Sequence, residues 1–501
     1  ENARRFSQSN AYDGTTKTEM VHLSAHVSLT GAKADRWVVI NPGSEAMVAL
    51  SIASVIRDQK GGYDFLSGML AAFAPEKVAE ATGVPAEKMK ELAQKFIENS
   101  PGLALGGGPS SRNSNLTSLH VAINILNAVS GNLGKTVFFH DQPAPENTSH
   151  QNLVQLIEDL KAGKVDLLIV DDSDPLHALP NSTGIKEAMK NTFTVSLASQ
   201  KNDTSSEADL QLPALTDYES WGDAFPRSGV RSIRQPVMAP VSLFEAKARE
   251  DVMLAAAKAV NPESFEGISD YRDFIRKEWQ NIQQDTGDRS HFDQFWVKVL
   301  EEGGLFSKPN LKSVSLKNEA SQLKIAETKI SGTGLTLIPT TSLFHGDGRG
   351  ARNPWLQEVP DPMSQIVWDS WMEINPDTAK KLGIKDRSVV QLQTSQGSIK
   401  ATAFYHFGIH RDAVAIPIGQ GHENSGDVAD GFGVNVMNLL PTEMDESGSL
   451  ALVTTRAELN PVEDLSYTVN LDGNARQLGR NIAAATTIDE LNNSDHHKSK
   501  P

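Results

Sequence analysis

The stretch "VDLLIVDDSDPLHALPNSTGIKEAMKNTFTVSLASQKNDTSSEADLQLPA", residues 165–214, decides the fold. It opens on a continuous apolar run, VDLLIV, that ends in an acidic turn, DDSDP. Two more short strands follow, TFTVSLAS (192–199) and ADLQLPA (208–214). A strand with one wet face alternates polar and apolar residues, and VDLLIV does not. Apolar strands separated by helical patterns predict a parallel sheet covered on both faces.

The same alternation extends towards the N-terminus. "RWVVINPGSEAMVALSIASVI" (36–56) is a β-branched run, a Pro-Gly turn and a helical pattern. "PAEKMKELAQKFIEN" (85–99) places Met89, Leu92, Ala93, Phe96 and Ile97 on one helical face. "GLALGGG" (102–108) reads as a strand running into a glycine turn, and the following LTSLHVAINILNAVSGN is apolar nearly all round, hence buried. Leu153, Leu156, Ile157 and Leu160 form another helical face, which Gly163 stops. Residues 1–150 and 151–260 are therefore expected to be two α/β domains.

Residues 261–333 are polar and weakly patterned, with one helix expected near 270–283, and read as an insertion or connecting region. After 334 come the short strands LTLIPTT, SVVQLQT, SIKATAF and AVAIPIG, with SQGS (395–398) as a hairpin turn. A compact β-barrel domain is expected over 334–455, and a polar linker or tail over 456–501.

At 501 residues the chain is too long for one core. Its net charge of −16 argues against nucleic acid, whose phosphates need clustered Lys and Arg. No stretch approaches the ~20 apolar residues of a membrane span, so contact with a membrane would need partner subunits. Glu1 opens the chain without initiator Met or signal peptide, so a mature or truncated piece is expected. The cysteine count is 0, which leaves no thiolate for disulfides, iron–sulfur ligation or nucleophilic catalysis within these residues.

Four loops have the composition of ligand sites, each with a bland alternative. "ALGGGPSSRNSN" (104–115) offers Gly107, Gly108 and Ser110 at the start of a helix, where backbone amides favour anions, or it is simply a tight turn. Asp172 and Asp174 follow a buried strand, where open α/β sheets bind ligands; the alternative is an Asp-Pro turn capping the next helix. Gly43 and Ser44 could meet a phosphate or cap a helix. "LFHGDGRGARNPWLQEVPDP" (343–362) brings His345, Arg349 and Asn353 among glycines, and arginine there could hold a carboxylate or phosphate. In "YESWGD" (218–223) Glu219 and Asp223 could work as paired carboxylates, or Trp221 could pack the loop while the acids face solvent.

Several of these stretches, in this order, resemble the molybdopterin oxidoreductase (dimethyl sulfoxide reductase) superfamily. They are ADRWVVINPGSEAMVALSIA, FAPEKVAEATGVPAEKMKELAQKF with PGLALGGG, LNAVSGNLGK, ADLQLPALTDYESWGD and EINPDTAKKLGIKDRSVVQLQTSQGSIKATA. The resemblance covers most of residues 25–455 and implies parallel-sheet Rossmann-like domains followed by a six-stranded β-barrel-like domain. SLTGAKADRW, DYESWGDAF, SIRQPVMAPV and NPWLQEVPDPMSQIVWDSW look closest to one branch, the large periplasmic subunit of alternative complex III. The quinone reductase complex of sulfate reducers carries a similar subunit.

That branch implies a molybdenum-free scaffold in a quinol-oxidising complex on the periplasmic side of the bacterial inner membrane. Its implied partners are membrane quinol-binding subunits, multihaem or monohaem cytochrome c subunits, and a flanking iron–sulfur domain. No cofactor is then expected in this chain as given, and Tyr218, Glu219, Trp221 and Arg227 are expected to hold domains or subunits together. The alternative is a catalytic molybdopterin oxidoreductase. Molybdopterin guanine dinucleotide would then rest on Gly43, Ser44, Gly107, Gly108, Ser110, Asp172, Asp174, His345, Arg349 and Asn353. A soluble α/β binding module without redox role is a third reading.

Overall fold

A computed structural model of the chain describes residues 2–10, 18–140, 149–322, 324–326, 328–463 and 468–471. Strands β1 (Val21–Ser24) and β2 (Arg36–Val39) pair in parallel, and a Pro-Gly turn leads from β2 into helix α1 (Glu45–Lys60). Helix α2 (Ala86–Glu98) buries Met89, Leu92 and Ala93, with Phe96 and Ile97 partly buried against the same core, as the helical spacing predicts. Helix α3 (Leu116–Ser130) packs along α1 through Leu119, Ala122, Ile125, Leu126 and Val129.

GLALGGG forms no strand, contrary to expectation. Its backbone is satisfied by a side chain instead of a ladder. Asn127 Oδ1 accepts from Ala104 N at 3.0 Å, while Asn127 Nδ2 donates to Ala104 O at 2.9 Å. A buried backbone pair needs partners, and one amide side chain supplies both.

After helix α4 (His150–Lys161), strand β3 (Leu167–Asp171), helix α5 (Ile185–Met189), strand β4 (Phe193–Ala198), helix α6 (Asp203–Glu207) and strand β5 (Leu210–Pro213) build the second α/β unit. The sheet is parallel in the order β3-β4-β5, with Leu167 opposite Phe193 and Val195 opposite Leu210. Ile157, Leu160, Ile185 and Met189 of α4 and α5 pack around Leu168 on one face. The other face departs from the sequence expectation. Leu167, Ile169, Phe193 and Leu210 stay between 39% and 52% exposed among the described residues. Helices α4 and α5 both pack on the Leu168 side, and the five-residue α6 is too short to cover a strand.

Strands β6 (Gly222–Arg227) and β7 (Val230–Arg234) form a hairpin, to which β8 (Gly304–Phe306) adds antiparallel. Between them lie helices α7 (Tyr271–Thr286) and α8 (Phe292–Glu302). The expected single helix is thus a pair. Phe292, Phe295, Trp296 and Val299 recur at helical spacing in α8, a pattern the sequence carries plainly. Ile233, Ile275, Trp279, Phe295, Trp296 and Val299 share one core, so residues 261–306 are continuous with the hairpin.

The last unit is a closed barrel of β9 (Leu335–Thr341), β10 (Trp371–Ile374), β11 (Val389–Gln393), β12 (Ser398–Tyr405), β13 (Ala413–Ile418) and β14 (Arg456–Glu463), in the order β9-β13-β10-β12-β11-β14. Leu337, Met372, Ile374, Val390, Leu392, Val414 and Ile416 fill it. Its final strand lies beyond the boundary expected at 455. RAELNPVE is too polar to read as a strand, but it pairs with β9 and β11 and so removes the last open edges. Residues 472–501 of the expected tail lie outside the described residues. Among the described residues no helix is long and apolar enough to cross a membrane.

Candidate functional site

The loop after β9 and the glycine segment before α3 face each other across a cleft of about 630 Å³, lined by Arg112, Gln200, Thr341, Phe344, His345 and Asn353 among others. That volume suits a small-molecule site, for which ~300–1,000 Å³ is typical. Arg112 is its distinctive group. Among the described residues no carboxylate pairs with it, and burial pushes its guanidinium below the ordinary value. His345 Nε2 is buried without a partner, and burial lowers that ring's pKa as well.

Of the ten residues the sequence nominates, the structure brings only His345, Arg349 and Asn353 to this cleft. Arg349 is already engaged: its Nε and Nη2 meet Asp347 Oδ1 and Oδ2 at 2.9 and 2.7 Å. Asn353 Oδ1 accepts from Trp355 N at 3.0 Å and so caps the short helix that follows. Arg112 was not nominated. The signal for it was a cation two residues past Ser110, in a loop free of acidic residues.

The remaining candidates are used by the fold. Gly43 has φ +83, and a Cβ there would lie 2.5 Å from the Thr328 side chain. Thr328 Oγ1 donates to Gly43 O at 2.6 Å, and Asn115 Nδ2 reaches both Gly43 O and Thr328 Oγ1, at 3.2 and 2.6 Å. Ser44 Oγ donates to Asn41 O. Gly107 takes φ +89, the Gly108 amide donates to Ser111 Oγ, and Ser110 is buried. Asp172 Oδ1 accepts from Ser199 N and Oγ, and Asp174 Oδ1 accepts from Thr204 N and Oγ1. Asp174 therefore serves the start of α6 and makes no side-chain bond to the helix directly after it.

A paired pterin dinucleotide would find only part of its nominated loops open. It would need open turns and free donors at several loops, and the Gly43 turn is filled by the chain's own Thr328 while Ser44, Asp172 and Asn353 have internal partners. The open cleft presents Arg112 to a ligand.

Beside the cleft lies a buried cluster that the sequence did not reveal. Asp203 Oδ2 accepts from His422 Nδ1 at 2.6 Å, and its Oδ1 accepts from Glu423 N and Asn424 N at 3.0 and 2.7 Å. His422 Nε2 meets Gly348 O at 3.0 Å, so both ring nitrogens face oxygen partners. His177 stacks on His422 with centroids 3.7 Å apart, and burial together with His422 lowers its pKa to about 3. The cluster ties α6 and the turn after β13 to Gly348, and so fixes the cleft loop.

In the acidic-aromatic segment 216–241 the nominated side chains also have internal partners. Glu219 accepts from Thr216 N at 3.0 Å and Val241 N at 2.9 Å, and these backbone donors hold its carboxyl below the usual range. Trp221 stacks on Trp296, with Arg272 over its ring, and Asp223 accepts from Trp279 Nε1 at 3.1 Å. Tyr218 is mostly exposed and contributes its carbonyl to Val237 N and Met238 N. Arg227 ends β6 at the hairpin turn. Glu219→Gln is expected to lower the melting temperature slightly and to leave turnover of an assembled complex intact. Abolished turnover in a fully assembled complex would show a proton-transfer role.

Comparison with known proteins places this geometry. Residues 349–462 match the family described as Molydopterin dinucleotide binding domain. The chain is 24% identical over 476 residues to a menaquinone reductase, molybdopterin-binding-like subunit, of Nitratidesulfovibrio vulgaris, covering 90% of this chain and 67% of that protein. It is 20% identical to an assimilatory nitrate reductase catalytic subunit of Bacillus subtilis, over 77% of this chain and 63% of that one. It is 21% identical to a thiosulfate reductase molybdopterin-containing subunit of Salmonella typhimurium, over 84% and 67%. The chain thus spans about two thirds of the length of these relatives. Acetylene hydratase from Pelobacter acetylenicus superposes with a TM-score of 0.65 at 16% identity, over 89% of this chain and 74% of that one. Residues 349–462 are thus similar to the molydopterin dinucleotide binding domain, and the chain carrying them has the fold of the molybdopterin oxidoreductases.

Proposed function

We propose that this chain is a structural, molybdenum-free region of a membrane-associated respiratory complex that oxidises quinol, of the alternative complex III kind. One observation carries the reading: Thr328 sits in the Gly43 turn, where a bound dinucleotide would need open backbone. The relative in Nitratidesulfovibrio vulgaris is named as a molybdopterin-binding-like subunit of a menaquinone reductase, which agrees with a quinone-linked complex. On this reading the chain lies on the periplasmic side. Electrons pass through iron–sulfur clusters outside these residues and through cytochrome c partners, and this chain orients them. Molybdenum, tungsten and pterin measured in the purified assembly are expected to be far below one per chain. One molybdenum or tungsten per chain would overturn the reading.

A second reading is favoured by the open cleft and its unpaired Arg112. In that case the chain is a catalytic molybdopterin oxidoreductase, with one dinucleotide phosphate on Arg112. Pterin would then be present in the wild-type assembly and lost from Arg112→Ala.

A further inference from the structure

Two trios of buried metal-ligating side chains stand apart from the cleft lining: His26 with Glu373 and His406, and His177 with Asp203 and His422. Their ring geometries separate them. His177 and His422 lie nearly parallel, 12° between planes, with centroids 3.7 Å apart. An ion reached by one nitrogen of each would lie well out of both ring planes, away from the lone pairs. His26 and His406 are edge-to-face, 74° between planes, with centroids 5.5 Å apart. A tetrahedral ion bound at about 2.0–2.1 Å by two imidazole nitrogens places their centroids about 5 Å apart.

We propose that His26 Nε2, His406 Nδ1 and Glu373 Oε2 form a divalent transition-metal site, of the class that takes Zn²⁺, joining the first α/β unit to the barrel. The backbone presets the three positions. Glu373 lies in β10, beside Phe404 of β12, and His406 N donates to Ile374 O just past the end of β12. Residues 25–27 then pair with the next turn, where Val27 N donates to Gly408 O and His410 N to Ala25 O, both at 2.7 Å. Gly408 permits that approach, since a Cβ there would stand 2.9 Å from Val27 Cβ and 3.0 Å from His406 Nε2.

The chemistry of the donors supports the assignment. Two histidines and one carboxylate are a known zinc ligand set, which leaves a fourth position to water. Trp371 Nε1 donates to Glu373 Oε1 at 3.0 Å, which orients the carboxylate from behind as ligand carboxylates require. Glu373 is buried, at 5% exposed. Among the described residues the only groups within ion-pair distance of it are these histidines. A buried carboxylate with no lysine or arginine is costly, and a bound dication compensates it.

Metal-free, Glu373 Oε2 stands 2.6 Å from His26 Nε2 and 2.7 Å from His406 Nδ1. Loading opens these edges to about 3.3 Å and releases the protons shared along them, since metal binding needs both ligating nitrogens unprotonated. The His406 side chain is 12% exposed. Because His26 and Glu373 lie 347 positions apart in the chain, the ion acts as a staple.

The test is a Co²⁺ titration of the full-length chain after chelator treatment. One equivalent is expected to bind with the visible ligand-field bands of tetrahedral Co²⁺, to be displaced by Zn²⁺, and to raise the melting temperature. His406→Ala, at the half-buried ligand, and Glu373→Gln are each expected to weaken binding by more than about tenfold while circular dichroism reports an intact fold. A folded wild-type chain that takes up no Co²⁺ or Zn²⁺ overturns the proposal. So does binding that survives both substitutions. Neither outcome depends on whether molybdenum is present.

Discussion

Asp203→Ala is expected to destabilise the protein by about 3–5 kcal/mol, the range for breaking a buried ion pair by removing one partner. The carboxylate is 9% exposed and receives His422 Nδ1, the Ser425 hydroxyl and two backbone amides. Without it the buried His422 ring keeps only Gly348 O and the Ser425 hydroxyl as hydrogen-bond partners. The damage should therefore spread into the cleft loop, and faster amide exchange over residues 343–353 is the local readout. The pH dependence has a definite sign. Burial alone would raise the Asp203 carboxyl, but the hydrogen bonds from His422, Asn424 and Glu423 outweigh it and depress the folded value. Its contribution is thus complete above the unfolded carboxylate value of about 3.9 and is lost as pH falls towards the folded value. Denaturant unfolding of wild type and variant at neutral and acid pH should show the gap closing on the acid side. A gap that widens there would contradict the assignment.

Trp279→Ala should have a comparable effect, about 3–5 kcal/mol, because the side chain is 1% exposed at the centre of the core between α7, α8 and the β6–β7 hairpin. Trp296 packs edge-on against it at 6.4 Å, and Trp221 stacks on Trp296 in turn. Removing the indole leaves a cavity that two helices and a hairpin can close only by moving. Trp279→Phe retains most of the packing and loses the bond to Asp223, so its cost should be near 1 kcal/mol. Hydrogen exchange across Tyr271–Glu302 distinguishes local opening from global unfolding. Equal protection in Trp279→Ala and wild type would mean that this core contributes nothing.

The parts of the fold that were legible in the sequence are those written in local pattern. VDLLIV, TFTVSLAS and ADLQLPA became adjacent parallel strands, and the Met89–Ile97 face became a packed helix. The illegible parts depend on distant partners. RAELNPVE is a strand because β9 and β11 offer it two open edges, and GLALGGG is not one because Asn127 reaches its backbone first. Leu167, Ile169, Phe193 and Leu210 were expected to be covered because their pattern is that of a buried sheet. Pattern states what a face requires, while the position of the helices states whether it is met.

The candidate site divides along the same line. The sequence determined the chemistry available: glycines where the turns need positive φ, an arginine-bearing loop between barrel strands, an order of motifs that belongs to the molybdopterin oxidoreductase fold, and no thiolate among these residues. It could not determine which donors remain free. A hydrogen-bonding group serves a ligand only if the fold has not already satisfied it, and satisfaction comes from residues far away in the chain. Thr328 fills the Gly43 turn from 285 positions away, and Asp203 meets His422 across 219. Only tertiary structure brings such pairs within 3 Å, and so it alone decided that Arg112 stays open, that Asp172 Oδ1 and Asp174 Oδ1 are engaged, and that His26 faces Glu373.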